Sequence, residues 1–337
     1  MAGQPVMPPG GWDRVGKALG VPGDSCAQKY RRVRQGATVA TQPQIKPPPT
    51  VKDVHDYLPE LPPKSFAVPI PKAAAPVAGK PFRAVVFGDS QIPFHDPACL
   101  AVVEAVIKDV QPHALVHVGD VIDAYEVSDY DKDPARLGTL QKDINATRAK
   151  LHQWAQLAPK ARRVLLEGNH EDRLRRAIWR IPGAAHAITR LDDFQRAMCW
   201  PSLLRLDEIG WEWIPTAEQS QAQILPKLIV IHGHQVSGGT VVEGGMARKA
   251  IQKFGRSAIL GHGHRASVLA RRDHNGQTFG IETGCTCLLD GQSYIVDPNW
   301  QQAVTVIEWT ANRRIMAVTQ VHIRDGRALW RGTELAA

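Results

Sequence analysis

Five short apolar runs in this chain lead directly into polar clusters marked by glycine, and that recurrence constrains the fold more than any other feature. Ala84-Val85-Val86-Phe87 ends in Gly88-Asp89-Ser90-Gln91, and Ala114-Leu115-Val116-His117-Val118 ends in Gly119-Asp120-Val121-Ile122-Asp123. Arg163-Val164-Leu165-Leu166 ends in Gly168-Asn169-His170-Glu171-Asp172, and two later runs end in His232-Gly233-His234 and Gly261-His262-Gly263-His264. Unbroken apolar runs of this length fit strands covered on both faces. Asp96-Pro97 supplies an N-cap acceptor and a proline at the first helical position, and Leu100, Val103, Val106, Ile107 and Val110 recur at helical spacing after it. A second helix is expected over 139–157, with later strands near 227–231, 257–260, 278–283, 303–309 and 315–323. Early alternation followed by strand-rich sequence predicts an α/β core with two sheets.

Sites in such sheets gather at the carboxyl ends of the strands. Asp, Asn, Gln and His there supply mixed oxygen and nitrogen donors, suited to Mn, Fe, Zn, Ni or Co. Each cluster alone says little, because Gly-Asp is a common turn and a lone histidine is usually structural. All of them together, in order and on strand ends, point to a metal centre.

The ordered series GD…GD…GNHE…H…GHxH resembles the calcineurin-like metallophosphoesterases. The segments Ile92-Pro93-Phe94-His95-Asp96, Glu282-Thr283-Gly284-Cys285 and Asn299-Trp300-Gln301-Gln302 resemble a branch common among phage-encoded members. The resemblance implies a four-layer α/β/β/α sandwich over residues 82–330 with two divalent metal ions at the strand ends, Mn first among the candidates. One ion would be held by Asp89, Asp120 and His264. The other would be held by Asp120, Asn169, His232 and His262, with Asp120 bridging. His170 would contact the phosphate or protonate the leaving group. The family usually has Asp-x-His in its first block, whereas this chain has Gln91 at the third position. Gln91 is either a weak oxygen ligand or a hydrogen-bonding neighbour, and His95 is an alternative occupant of the gap. His95 and His234 are expected beside the ligands or facing substrate, Asp123 and Glu171 are expected to orient ligands, and Arg173 is expected to reach substrate phosphate. Cys285-Thr286-Cys287 lacks zinc-knuckle spacing and reads as structural.

Ahead of this region, residues 37–81 hold eleven prolines and read as an extended linker. Residues 1–36 carry six Lys and Arg against two Asp. Trp12, Val15 and Leu19 mark one helix, and Ser25…Gln28 forms a capping box for a second that carries Lys29, Arg31, Arg32 and Arg34. That layout resembles a helix-turn-helix or Myb-like module, which implies a nucleic-acid partner. A solvated amphipathic hairpin is the plainer alternative. The formal charge of +8 is compatible with a polyanion. Five scattered cysteines, no apolar run long enough for a membrane span and no signal-like start predict a reducing, cytoplasmic setting. The expected function is metal-dependent hydrolysis of nucleic-acid phosphodiesters. The alternatives are a phosphatase for phosphoproteins or small nucleotides, and a DNA-binding protein whose phosphoesterase domain has lost turnover.

Overall fold

The computed structural model describes residues 81–337 apart from 133, 135–136, 184, 237–241, 275, 291–297 and 313–315. The basic unit over 1–36, with Lys29, Arg31, Arg32 and Arg34, and the linker up to residue 80 lie outside the described residues.

The elements run β1 (Phe82–Phe87), α1 (Pro97–Val110), β2 (Ala114–His117), α2 (Leu140–Leu157), β3 (Arg162–Leu166) and α3 (Asn169–Trp179). Four short helices follow: α4 (Ala185–Thr189), α5 (Asp192–Ala197), α6 (Trp200–Leu203) and α7 (Leu206–Ile209). Then come β4 (Glu212–Ile214), β5 (Ile229–Ile231), α8 (Gly245–Phe254), β6 (Ala258–Leu260), β7 (Ala266–Asp273), β8 (Gly276–Thr283), β9 (Gln302–Trp309), β10 (Met316–Ile323), β11 (Arg327–Trp330) and β12 (Thr333–Ala336). One sheet has six strands in the order β10-β9-β1-β2-β3-β4, and a second has four in the order β5-β6-β8-β7. β1 to β4 are parallel neighbours, with Ala84 opposite Ala114 and Ala114 opposite Arg162.

The pleat sorts the strand residues into separate cores. Val85, Phe87, Leu115 and Leu165 pack beneath α1 and α2 with Leu100, Val103, Ile107, Leu151 and Trp154. Their neighbours Ala84, Val86, Val116, Val164 and Leu166 face the other way and meet Val230, Ile259 and Ile281 of the second sheet. Ile231, Ala258 and Leu260 then face Met246, Ala247 and Ala250 of α8. Three apolar layers between four layers of elements make the α/β/β/α sandwich. The strands are unbroken apolar runs because both of their faces are covered.

α1 starts as the Asp-Pro pair predicts: Asp96 Oδ1 accepts from the backbone N–H of Ala98 at 2.9 Å and of Cys99 at 3.1 Å. α3 begins at Asn169, and Asp172 in its first turn pairs with Arg176 at 2.7 Å and with Arg175. Two features differ from expectation. The sequence does not mark β7, because Ala-Ser-Val-Leu-Ala-Arg-Arg-Asp has no sustained apolar run. The β11–β12 hairpin carries the chain's regular structure to Ala336, past residue 330.

Candidate metal centre

The polar clusters meet where the carboxyl ends of both sheets adjoin. Asp89 and Gln91 follow β1, and Asp120 follows β2. Asn169 and His170 open α3 after β3, His232 follows β5, and His262 and His264 follow β6. Asp89, Gln91, Asp120, His262 and His264 all have left-handed backbone, with φ between 48° and 66°. Such conformations are unfavourable for residues with a Cβ and persist where surrounding contacts over-determine them.

Those contacts stitch one sheet to the other. Both carboxylate oxygens of Asp89 accept from the His262 N–H at 3.0 Å. The His232 ring places Nδ1 2.9 Å from the Val118 carbonyl, and the His232 N–H donates to Gln219 Oε1 at 2.9 Å. Nδ1 therefore carries the proton, and Nε2 turns its lone pair inward, as a metal-binding histidine requires. Glu171 is buried and accepts from the backbone N–H of Asp120 at 2.9 Å, Val121 at 2.7 Å and Gly168 at 2.7 Å. One side chain thus clamps the loops after β2 and β3. A Cβ at Gly168 would collide with Asp120 Oδ1, and one at Gly261 would collide with Asp89 Oδ2, so only glycine lets these backbones approach the carboxylates.

Two donor groups face inward. In the first, the ligand atoms of Asp120, His232 and His262 lie within 4.8 Å of one another. His232 Nε2 is 3.3 Å from Asp120 Oδ2 and 2.9 Å from Asn169 Oδ1. In the second, His264 Nε2 is 3.3 Å from Asp89 Oδ1 and 3.3 Å from the carboxamide nitrogen of Gln91. Exchanging the two ends of that carboxamide puts its oxygen at the same place, so Gln91 stands where a further ligand would stand. Lone pairs of mixed oxygen and nitrogen type, aimed inward from buried carboxylates, an amide and imidazoles, fit two divalent cations.

The carboxylates make the interior of the site favourable to positive charge, which a proton on His232 Nε2 or a metal ion would supply. Burial alone would raise the Asp120 carboxyl, but the rings of His170, His232 and His262 outweigh it and hold it well below the usual carboxylate range. Burial opposes charge on His232, yet Asp120, with Asp89 and Glu171 beyond, lifts it to about 9. Burial followed by the nearby His232 lowers His262 to about 4, and burial with Asp120 raises Glu171 to about 7.

His170 is built differently. Its Nδ1 faces Asp123 at 3.1 Å from both the carbonyl and Oδ1, and its Nε2 accepts from Arg173 Nη2 at 2.9 Å. Nε2 also lies 3.7 Å from Asp120 Oδ2. Arg173 is fixed in turn by the Asp123 carbonyl, at 2.5 Å from Nη1. An imidazole and a guanidinium therefore stand side by side at the edge of the donor groups. The other arginines on α3 and at its C-cap are paired with acids: Arg175 with Glu167 and Asp172, Arg176 with Asp172, and Arg180 with Asp129.

His234 packs its ring 5.4 Å from that of His232 and 6.1 Å from that of His262. His95 is buried, with its backbone bridged to Cys287: burial, then Lys150 on α2, lowers its pKa to about 3, and the Pro93 carbonyl opposes them. Two residues read as merely structural belong to the surroundings of the site. Cys287 Sγ lies 3.9 Å from His264 Nδ1, and the ligand atoms of His264, Cys285 and Cys287 fall within 4.8 Å of one another. The Cys-x-Cys spacing, which puts both thiols on one side of an extended segment, was the available signal. The Trp300 ring packs edge-on to His264 at 4.2 Å.

A family model described as calcineurin-like phosphoesterase matches residues 82–266. The Gene 54 protein of Mycobacterium phage D29 is 28% identical over 244 residues, which cover 68% of this chain and 90% of the phage protein. The Gene 54 protein of Mycobacterium phage L5 is 30% identical over 196 residues, covering 55% and 70%. Among solved structures, Vacuolar Protein Sorting 29 from Cryptosporidium parvum aligns over 77% of this chain and 96% of its own, with a TM-score of 0.40 and 11% identity.

Proposed function

The chain belongs to the calcineurin-like phosphoesterases, metal-dependent hydrolases of phosphoesters, and from that premise we propose that it cleaves nucleic-acid phosphodiesters. The observation that carries the choice of substrate is charge: residues 1–36 hold six Lys and Arg against two Asp in a chain of net charge +8. A basic segment attached to a phosphoesterase suits a polyphosphate substrate. The phage-encoded relatives support action in the host cytoplasm. No helix among the described residues is long and apolar enough to cross a membrane.

In this reading Asp89, Asp120 and His264, with Gln91 beside them, hold one divalent ion, and Asp120, Asn169, His232 and His262 hold the other. The bound ions supply Lewis acidity and a nucleophile at neutral pH. Manganese is the first cation to test, because carboxylate, amide and imidazole donors suit it. His170 is the general acid. Asp123 fixes its Nδ1, so Nε2 is the atom that would carry the proton to the leaving oxygen, once Arg173, whose N–H it accepts in this structure, turns to the phosphate. Arg173 presents a fork of donors beside Nε2 and binds the non-bridging oxygens of the phosphate.

The test is turnover of an aryl phosphodiester, an aryl phosphomonoester and labelled single- and double-stranded DNA by manganese-loaded protein. Diester and DNA cleavage without monoester cleavage is the expected result. His170→Ala should retain its metal and lose on the order of 10²–10⁴ in kcat. Monoester cleavage alone would replace the proposal with a phosphatase. Salt-sensitive DNA binding without any turnover would favour the degenerate domain, for which the specific observation is Gln91 in place of the family's histidine.

A further inference from the structure

We propose that α8 and the hairpin beside it form the track along which the polyphosphate backbone of a nucleic acid lies as it enters the metal centre. The proposal rests on the nucleic-acid reading above and specifies where on the folded domain that substrate is held.

Residues 244–272 contain seven Lys and Arg and no Asp or Glu. That one segment nearly equals the formal excess of +8 for the whole chain. Four of the seven sit on α8 or just past it: Arg248, Lys249, Lys253 and Arg256. The helix buries Met246, Ala247, Ala250 and Ile251 against the second sheet, which turns the basic residues outward. Arg248, Lys253 and Arg256 are exposed. Among the described residues, Arg248 and Arg256 pair with no carboxylate, and Lys253 donates only to the Gln235 carbonyl, at 3.1 Å. The arginines of α3 are paired with acids, so α8 is the stronger uncompensated positive feature of the two.

The stripe is also placed for the purpose. Met246 in the first turn of α8 lies directly behind Gly263: a Cβ there would stand 2.8 Å from the Met246 sulfur. Gly263 separates His262 from His264, so the helix starts against the metal centre. From there the basic residues run outward at about 1.5 Å per residue, roughly 12 Å from Arg248 to Arg256. The sheet continues the line. Gly280 faces α8, Leu269 is its cross-strand partner, and Arg271, two residues further along β7, shares that face opposite Thr278. A row of cations leading away from a phosphoesterase centre fits a repeating phosphate chain better than a compact anion, which would need converging donors.

The test uses the full chain carrying Arg248→Glu, Lys253→Glu and Arg256→Glu together, with the corresponding glutamine triple variant guarding against a folding defect. A second full-length variant carries Lys29→Ala, Arg31→Ala, Arg32→Ala and Arg34→Ala. Binding of a labelled DNA oligonucleotide, single- and double-stranded, is measured across a salt series, and turnover of a small aryl diester is measured in parallel. Each lost phosphate contact should flatten the slope of log K against log salt by about 0.9 for duplex and about 0.7 for single strands. Loss of three contacts should weaken binding at least roughly tenfold at low salt. Turnover of the small diester should be unchanged, because it is too short to reach the track. Wild-type affinity and slope in both triple variants, with wild-type protein still cleaving DNA, would overturn the track and leave the substrate reading standing. The same holds if the amino-terminal variant alone removes all binding. Wild-type protein that neither binds nor cleaves DNA at low salt would remove the substrate reading, and the track with it.

Discussion

Asp89, Gln91, Asp120, His262 and His264 each occupy a backbone conformation that costs of order 1–3 kcal/mol for a residue with a side chain. Their donor atoms were legible in the sequence, because each lies in a glycine-marked cluster after an apolar run. The partners that hold them were not. The Val118 carbonyl that fixes the His232 tautomer has no residue-type signature, and the Cys287 sulfur behind His264 comes from a segment distant in sequence. Gln91 is where residue chemistry can be changed most cleanly. Its carboxamide already faces His264 at 3.3 Å and His170 at 3.5 Å, whereas His95 lies in the environment of Lys150. Gln91→His should therefore supply a stronger nitrogen donor and tighten the ion bound by Asp89 and His264, leaving the ion at Asn169 and His232 unaffected. Calorimetric titration of metal-stripped protein reads both sites. An unchanged first-site affinity would show that position 91 is not a ligand position.

At the scale of elements, periodicity revealed the buried strands and the alternating edge strand β10, and missed the short or irregular ones. β1, β2 and β3 are unbroken apolar runs because sheet and helices cover both faces, and they were readable as such. β7 is the edge strand of its sheet, β4 has only three residues, and β11 and β12 form a small separate hairpin, so none had a long run to betray it. The turn between β1 and α1 carries a consequence for stability. His95 is buried there, and its pKa is lowered to about 3, first by burial and then by Lys150. Its folded value lies below the unfolded value near 6.5, so its contribution is complete above pH 6.5. That contribution is lost as pH falls toward 3, because the unfolded chain takes up the proton first. His117, buried among Phe87 and Trp154 and likewise lowered to about 3, acts in the same sense. His95→Leu should remove one proton from this dependence, a slope of up to about 1.4 kcal/mol per pH unit, while His117 retains its share. Urea unfolding midpoints of metal-free protein between pH 6.5 and 4 measure the difference. Parallel pH profiles for the variant and wild type would show that His95 titrates normally.

On the scale of the whole molecule, two sheets are brought together so that the ends of five strands share one set of donors, and the proposed dinuclear centre has Asp120 as the ligand common to both ions. Its carboxylate lies 3.3 Å from His232 Nε2 and accepts the His170 backbone N–H at 2.9 Å, which ties the first sheet to the second and to the start of α3. The layered fold was implied by the ordered motifs, but the meeting of the two sheets at that carboxylate became visible only in three dimensions. The chain's charge has the same character: the excess at the amino terminus stands out in the sequence, whereas the acid-free stretch over 244–272 gains meaning only once α8 is seen to begin behind Gly263. The most direct measurement is the manganese stoichiometry of chelator-stripped protein, determined by calorimetry with elemental analysis, for wild type and Asp120→Asn. Two ions per wild-type chain, both weakened together in Asp120→Asn, is the expected result. One ion per chain, or an Asp120→Asn variant that loses one ion and binds the other with wild-type affinity, would contradict a shared dinuclear centre.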